Sequence, residues 1–269
     1  MGGLARNLPN SKLGKMTKGI IGIVGGMGPL SGVDMASRVI AQTNAKTDQE
    51  HVSMILFSLA PEIADRTQYI LGEQLHNPGQ AIASQLLEME NLGVHVAALA
   101  CNSAHAPAIY DPIIKKLIEA KARIRLLHIV DEVAVFIRKH HPKVKKVGVL
   151  GTSGTYRSKL YGRIEGKGLQ CVNVTAEEQE RLHTAIYHPG YGIKSTGAKV
   201  SHEARTILLE TCQSLQKRGA EILVFGCTEL ALAHRAPEAE GLPVVDATTV
   251  LARALIHAVA PEKLIPWAS

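Results

Sequence analysis

At 269 residues the chain is longer than most single domains and suits two lobes, each able to bury a core of its own. Its 30 Lys and Arg against 24 Asp and Glu give a formal charge of +6, but Arg6, Lys12, Lys15 and Lys18 precede the first apolar strand, so the body carries only 26 − 24 = +2; with three Phe and one Trp, it offers neither the basic face nor the stacking platforms of a nucleic-acid binder. No signal-peptide core, no run of 18 apolar residues and four cysteines without CxxC pairing exclude export, membrane spanning and a structural zinc or disulfide framework as expectations, and make a reducing cytoplasm the expected compartment.

The first strand is expected at Gly19-Ile20-Ile21-Gly22-Ile23-Val24, an apolar β-branched run of the kind buried on both faces. Gly25-Gly26-Met27-Gly28-Pro29 turns it into a helix on which Leu30, Val33, Ala36, Val39 and Ile40 recur at helical spacing. Because Ile23 and Val24 separate Gly22 from Gly25 and no Lys follows, the glycines fit neither a dinucleotide fingerprint nor a phosphate loop. A second strand, Met54 to Phe57, leads into SLAPEIADRTQYI, a polar connection holding Asp65 and Arg66. A helix over 79–92 and a strand over 94–100 then deliver Cys101. Helix 107–122, a strand over 124–130 and a helix from Asp131 follow.

The next strand opens at Val147 and ends at Gly151-Thr152-Ser153-Gly154-Thr155. Residues 169–174 read as a strand, IYHPGYGIKSTG as a loop carrying Lys194, and 201–218 as a helix. The strand over 220–226 delivers Cys227; Val244-Val245-Asp246 and helix 247–260 close the chain. Cys227 lies 227 − 101 = 126 residues after Cys101, and the same offset sets IGIVGGMG from Ile21 on VGVLGTSG from Val147. Two matches at one offset point to an internal duplication. Alternating strands and helices give an α/β fold with parallel sheets, and the duplication makes two pseudo-symmetric lobes with the active site expected in the cleft between them. The expected division is a basic tail over 1–18, a first lobe of 19–118 plus 241–269, and a second lobe of 119–240.

Cys171 and Cys212 read as core residues, since a free Cys is usually buried. Cys101 and Cys227 differ, because each sits where a parallel strand hands over to a helix and the duplication makes them symmetry mates. Helix N-termini would favour thiolates there. Two thiols facing one cleft can take a proton from one face of a carbon and return it to the other, one as thiolate and one as thiol. His105, four residues after Cys101, and Glu229, two after Cys227, stand where either could tune its neighbour or serve the structure.

GGMGPLSG, DRT, ACNSAHA, LGTSGT, YGIKSTG, FGCTELAL and LPVVDATTVLARA, in this order over about residues 19 to 260, resemble the successive motifs of the aspartate/glutamate racemase family. The resemblance implies a cofactor-independent amino-acid racemase without a metal, commonly a homodimer, built of two Rossmann-like lobes with the C-terminal segment returning to the first, and with Cys101 and Cys227 as its acid/base pair. It implies that the substrate α-carboxylate lies around Asn102, Ser103 and Thr228 with Met27 and Thr152 nearby, and that Arg66 and Lys194 bind the distal carboxylate. Ala100-Cys101-Asn102-Ser103 departs from the commoner Pro-Cys-Asn-Thr but keeps the hydroxyl. Three readings are open: a racemase of aspartate or glutamate, a racemase or isomerase of another amino acid or small acid, and a catalytically silent two-lobed amino-acid-binding protein.

Overall fold

The computed structural model of the chain describes residues 19–197 and 199–267; the basic tail expected over 1–18 lies outside them. Strand β1 (Ile20–Val24) is buried throughout, as an unbroken apolar run in a parallel sheet must be, and passes through a glycine-rich turn into helix α1 (Pro29–Ala41). Strand β2 (Met54–Phe57), helix α2 (Arg66–Leu71), helix α3 (Pro78–Asn91), strand β3 (Val94–Leu99), helix α4 (Pro107–Glu119), strand β4 (Arg125–Leu126) and helix α5 (Ile129–His140) complete the first half. The second half runs through β5 (Lys146–Leu150), α6 (Ser153–Arg157), a 3-10 segment at Leu160–Lys167, β6 (Gln170–Val172), α7 (Ala176–Tyr187), α8 (Ile193–Thr196) and α9 (His202–Lys217). It ends with β7 (Ile222–Phe225), α10 (Leu230–Ala233), β8 (Glu238–Ala239), β9 (Leu242–Asp246) and α11 (Ala247–Val259).

Two sheets result, ordered β2-β1-β3-β4 and β6-β5-β7-β9-β8. Every pairing is parallel except that of β8 with β9. With β8 set aside, the second sheet repeats the strand order of the first, and β1 and β5 lie at the offset of 126 residues that relates the cysteines. Helices α3 and α4 cover the outer face of the first sheet, with Ile82, Leu86, Ile109 and Ile113 in its core. Helices α7 and α9 cover the outer face of the second, with Leu182, Ile186, Leu208 and Leu215. Between the sheets one continuous core joins Ile21 and Ile23 to Val133, Ile137, Val224, Leu251 and Leu255. The parallel strands thus bury both faces, and α5 and α11 are the shared central layer.

Several expectations shift. Arg125–Leu126 pairs in the first sheet and Leu242–Asp246 in the second, so the expected divisions at 118/119 and at 241 do not follow the sheets, although α11 does return to pack on α1, β1 and β3. The strand expected over 124–130 is cut short because Ile129 and Val130 already turn inward as the first residues of α5; a short apolar run cannot by itself distinguish strand from buried helix. Helix α1 forms, but Leu30, Val33 and Ile40 are 46%, 54% and 51% exposed. Its inward face carries Ser31, Gly32, Asp34, Met35 and Val39 instead. Gly32 packs there because its Cα comes within 3.0 Å of where a Cβ on Gly25 would stand. Cys212 is core, as expected, whereas Cys171 is only half-buried and its thiol donates to the Tyr161 carbonyl at 3.1 Å.

Candidate active site

The two central strands position the cysteines. β3 ends at Leu99 and β7 at Phe225, so Cys101 and Cys227 leave the carboxyl ends of equivalent strands, where open parallel sheets bind ligands. Only short turns follow them: a 3-10 turn at Ser103–His105 after Cys101 and the four-residue α10 after Cys227. Cys101, Asn102, Ser103 and Arg66 from one side, and Thr152, Lys194, Cys227, Thr228 and Glu229 from the other, line one cleft with Thr67 and Tyr187. The free space among them is about 10 Å³, room for a single water and far too little for an amino acid. Met27 and His105 do not line it.

On the second side everything converges on the buried carboxylate of Glu229. Oε1 pairs with the Lys194 ammonium and accepts from the Ser31 hydroxyl at 3.1 Å. Oε2 accepts from the Cys227 thiol at 3.1 Å and has the Thr228 hydroxyl at 3.0 Å. Burial alone would raise the Glu229 pKa, but the charge of Lys194 and the hydrogen bonds of Lys194, Cys227 and Thr228 outweigh it and bring it from 4.5 down to about 2. Burial lowers the Lys194 pKa, yet Glu229 and Cys227 beside it leave it raised overall. The ammonium also stands 5.4 Å above the centre of the Tyr187 ring, a cation–π distance. For Cys227, burial and then the charge of Glu229 push the thiol well above its ordinary value, with Lys194 opposing. The expectation of a thiolate favoured by a helix N-terminus fails here: α10 is a single turn, and desolvation beside a carboxylate dominates.

The first side carries the opposite charge. Arg66, expected in a polar connection, is the first residue of α2, which Asp65 caps by accepting from the Gln68 backbone N–H, and is only 7% exposed. Its guanidinium donates to the Met27 carbonyl at 2.6 Å and to the Ala64 carbonyl at 3.1 Å; Nε has no partner. Burial works against its charge, but Cys101, through charge and a side-chain hydrogen bond, and Asp65 raise its pKa. Cys101 therefore stands beside a cation, and Cys227 beside a carboxylate that is itself paired with Lys194.

Four hydroxyls knit the two sides together. Ser103 lies 3.1 Å from Thr152 and 3.3 Å from Thr155, and Thr67 donates to Thr152 at 3.4 Å. Gly154 is required at this contact, because a Cβ there would come within 2.8 Å of the Thr67 hydroxyl oxygen. Met27 is core and contributes only its carbonyl to Arg66. His105 sits behind the turn: Nδ1 bonds the Cys101 carbonyl at 2.9 Å and the ring stacks on Tyr110. Burial, and then His128, lower its pKa to about 3, so at neutral pH it is an uncharged brace.

Sequence reasoning missed Ser31, Thr67 and Tyr187 as site residues. Ser31 and Thr67 lie inside the motifs GGMGPLSG and DRT, so the signal was present; Tyr187, at the end of α7, carried none. Among the described residues no three His, Cys, Asp or Glu side chains cluster as metal ligands would, and no helix is long and apolar enough to cross a membrane.

The profile of the Asp/Glu/Hydantoin racemase family matches residues 24–255. The Broad specificity amino-acid racemase RacX of Bacillus subtilis is 30% identical over 247 residues, covering 88% of this chain and 96% of that protein. Glutamate racemase of Limosilactobacillus reuteri is 26% identical over 156 residues, 58% of this chain and 51% of its own length. Among solved structures, the aspartate racemase of Picrophilus torridus aligns with a TM-score of 0.72 at 25% identity, covering 89% of this chain and 94% of its own.

The Glu229 environment has a thermodynamic consequence. A carboxyl whose folded pKa is depressed from 4.5 to about 2 contributes stability that is fully present above about pH 4.5 and is lost as pH falls toward 2. Glu229→Gln is expected to make the unfolding free energy fall less steeply than wild type between pH 5 and pH 3, measured by urea denaturation. Parallel slopes would show that this carboxylate is not held by its neighbours.

Proposed function

The chain belongs to the Asp/Glu/hydantoin racemase family and is an amino-acid racemase, and from that premise we propose that it interconverts the L- and D-forms of an acidic amino acid by a two-base mechanism on Cys101 and Cys227. The observation that carries this reading is the pair of cysteines at equivalent strand ends on opposite sides of one cleft, beside charges of opposite sign. In one direction Cys101, next to the Arg66 cation, takes the Cα proton. Cys227, whose proton is held by burial and Glu229, delivers it to the opposite face as thiol. In the reverse direction the roles exchange.

No cofactor enters this scheme, so the carbanion must be stabilised by donors around the α-carboxylate. Asn102 Nδ2, buried without a partner, and the hydroxyls of Ser103, Thr152 and Thr228 supply them. In this scheme Arg66 and Lys194 read the distal carboxylate, Lys194 by exchanging Glu229 for substrate. Since the free space is about 10 Å³, substrate enters only when the two sides separate. A second reading, a racemase of wider amino-acid range, draws on the similarity to RacX and on the fact that Lys194 already has an internal counter-ion. The exposed apolar row Leu30, Val33 and Ile40 on α1 supports a homodimer, and the need to keep both thiols reduced supports a cytoplasmic protein.

In D₂O, metal-free and pyridoxal-free protein should exchange the Cα proton of aspartate or glutamate, followed by NMR, with little exchange of alanine or lysine; comparable exchange of lysine selects the wider range, and no exchange with any amino acid removes the racemase reading. Cys101→Ala and Cys227→Ala should each abolish racemisation while Cys212→Ala keeps turnover near normal; full activity in either of the first two refutes the two-base mechanism. Arg66→Leu and Lys194→Met should lower kcat/KM for the dicarboxylate roughly 10- to 150-fold and reduce its ratio to the corresponding amide; an unchanged ratio in both removes the distal-carboxylate assignment. Val33→Glu combined with Ile40→Glu should convert a dimer to monomer in sedimentation velocity, and a monomeric wild type would dispose of the dimer.

A further inference from the structure

One side chain outside the cleft touches both cysteine-bearing turns. Tyr161, in the 3-10 segment Leu160–Lys167, is 4% exposed and belongs to the central core. Its hydroxyl donates to Asn102 Oδ1 at 2.7 Å, one residue after Cys101. Its ring lies against Gly226, one residue before Cys227, where a Cβ would come within 2.8 Å of Tyr161 Cε2. We infer that Tyr161 is a positioning residue for the reaction: its hydroxyl fixes which way the Asn102 amide faces, and its ring sets the seat of the Cys227 turn.

The amide argument is one of donors and acceptors. A primary amide has an acceptor end and a donor end of nearly the same shape, so only its partners decide its orientation. A phenol O–H committed to Oδ1 leaves Nδ2 as the end that faces away from Tyr161, and Nδ2 is buried with no partner in a residue that lines the cleft. An unpaired buried donor is unfavourable unless a ligand completes it, and the ligand it suits is an anionic oxygen. Reversed, the amide would present its own oxygen to the substrate α-carboxylate and repel it. Tyr161 keeps its proton for this task, since burial and then the charges of Cys171, Asp246 and Cys227 hold the phenol pKa far above its ordinary value. This inference rests on the racemase reading for the identity of the anion, not for the orientation of the amide.

Tyr161→Phe keeps the ring against Gly226 and removes only the hydroxyl. It should lower kcat/KM about 5- to 30-fold and lower the thermal midpoint modestly, because Asn102 Oδ1 is left buried without its donor. The factor should be the same for every amino acid turned over, because the α-carboxylate is common to all, and should vanish in an Asn102→Ala background. A Tyr161→Phe effect on kcat/KM that is additive with Asn102→Ala overturns the proposal. The free protein gives a readout that needs no turnover. The side-chain amide resonances of Asn102 in ¹⁵N-labelled protein, identified by their loss in Asn102→Ala, should shift in Tyr161→Phe. Unchanged resonances overturn the orientation claim, and shifted resonances in a chain that racemises nothing uphold it while the racemase reading falls.

Discussion

The site is organised by the need to compensate one buried negative charge. A carboxylate out of water is tolerated only when its oxygens are occupied by donors and a counter-ion. Glu229 gathers these from three separate segments: Ser31 on α1, Lys194 on α8, and Cys227 and Thr228 on its own turn. Because Ser31 belongs to the first half of the chain and the others to the second, compensating this charge also draws the two sides together. Burial and then the same carboxylate keep the proton on Cys227, so closure of the cleft and protonation of one sulfur are linked through Glu229.

The duplicated fold therefore carries an unequal pair. Backbone symmetry is close: equivalent strand orders, and cysteines at equivalent strand ends. The electrostatics break it. Cys101 is followed by His105, an uncharged ring turned away from the cleft to brace the turn through the Cys101 carbonyl, and faces Arg66. Cys227 is followed by Glu229.

Much of this was legible in the sequence because the decisive signals were local. Buried parallel strands such as Ile20–Val24 and Ile222–Phe225 are short apolar runs ended by glycine, and the cysteine spacing exposed the duplication. What was not legible depended on distant partners. The periodicity of α1 marks a helix, but only the contacts of Ser31 with Glu229 and of Gly32 with Gly25 decide that Leu30 and Val33 face outward. Helix α7 went unread although Thr175 and Glu178 form a capping box at its start, a signal that precedes many helices. The direction of the Cys227 shift could not be read, because depth of burial is a property of the whole chain. Tyr161 reaches Asn102 across 59 residues, and nothing in its neighbourhood of the sequence announces a partner.

The two ways across the molecule differ in strength. At the cleft, α2 meets α6 and α7 through hydroxyl contacts: Thr67 to Thr152 at 3.4 Å, and Tyr187 to Asp65 and Thr67, each at 3.4 Å. Hydrogen bonds of that length are weak; the contact of Ser31 with the Glu229 carboxylate at 3.1 Å is the stronger tie across the same cleft. At the far side the halves are fused through Val133, Ile137, Leu251 and Leu255, whose exposure to water the hydrophobic effect opposes. Parting the halves at the mouth breaks polar contacts whose partners water can replace, whereas parting them at the spine would bare an apolar core, so the mouth is the less costly place to open.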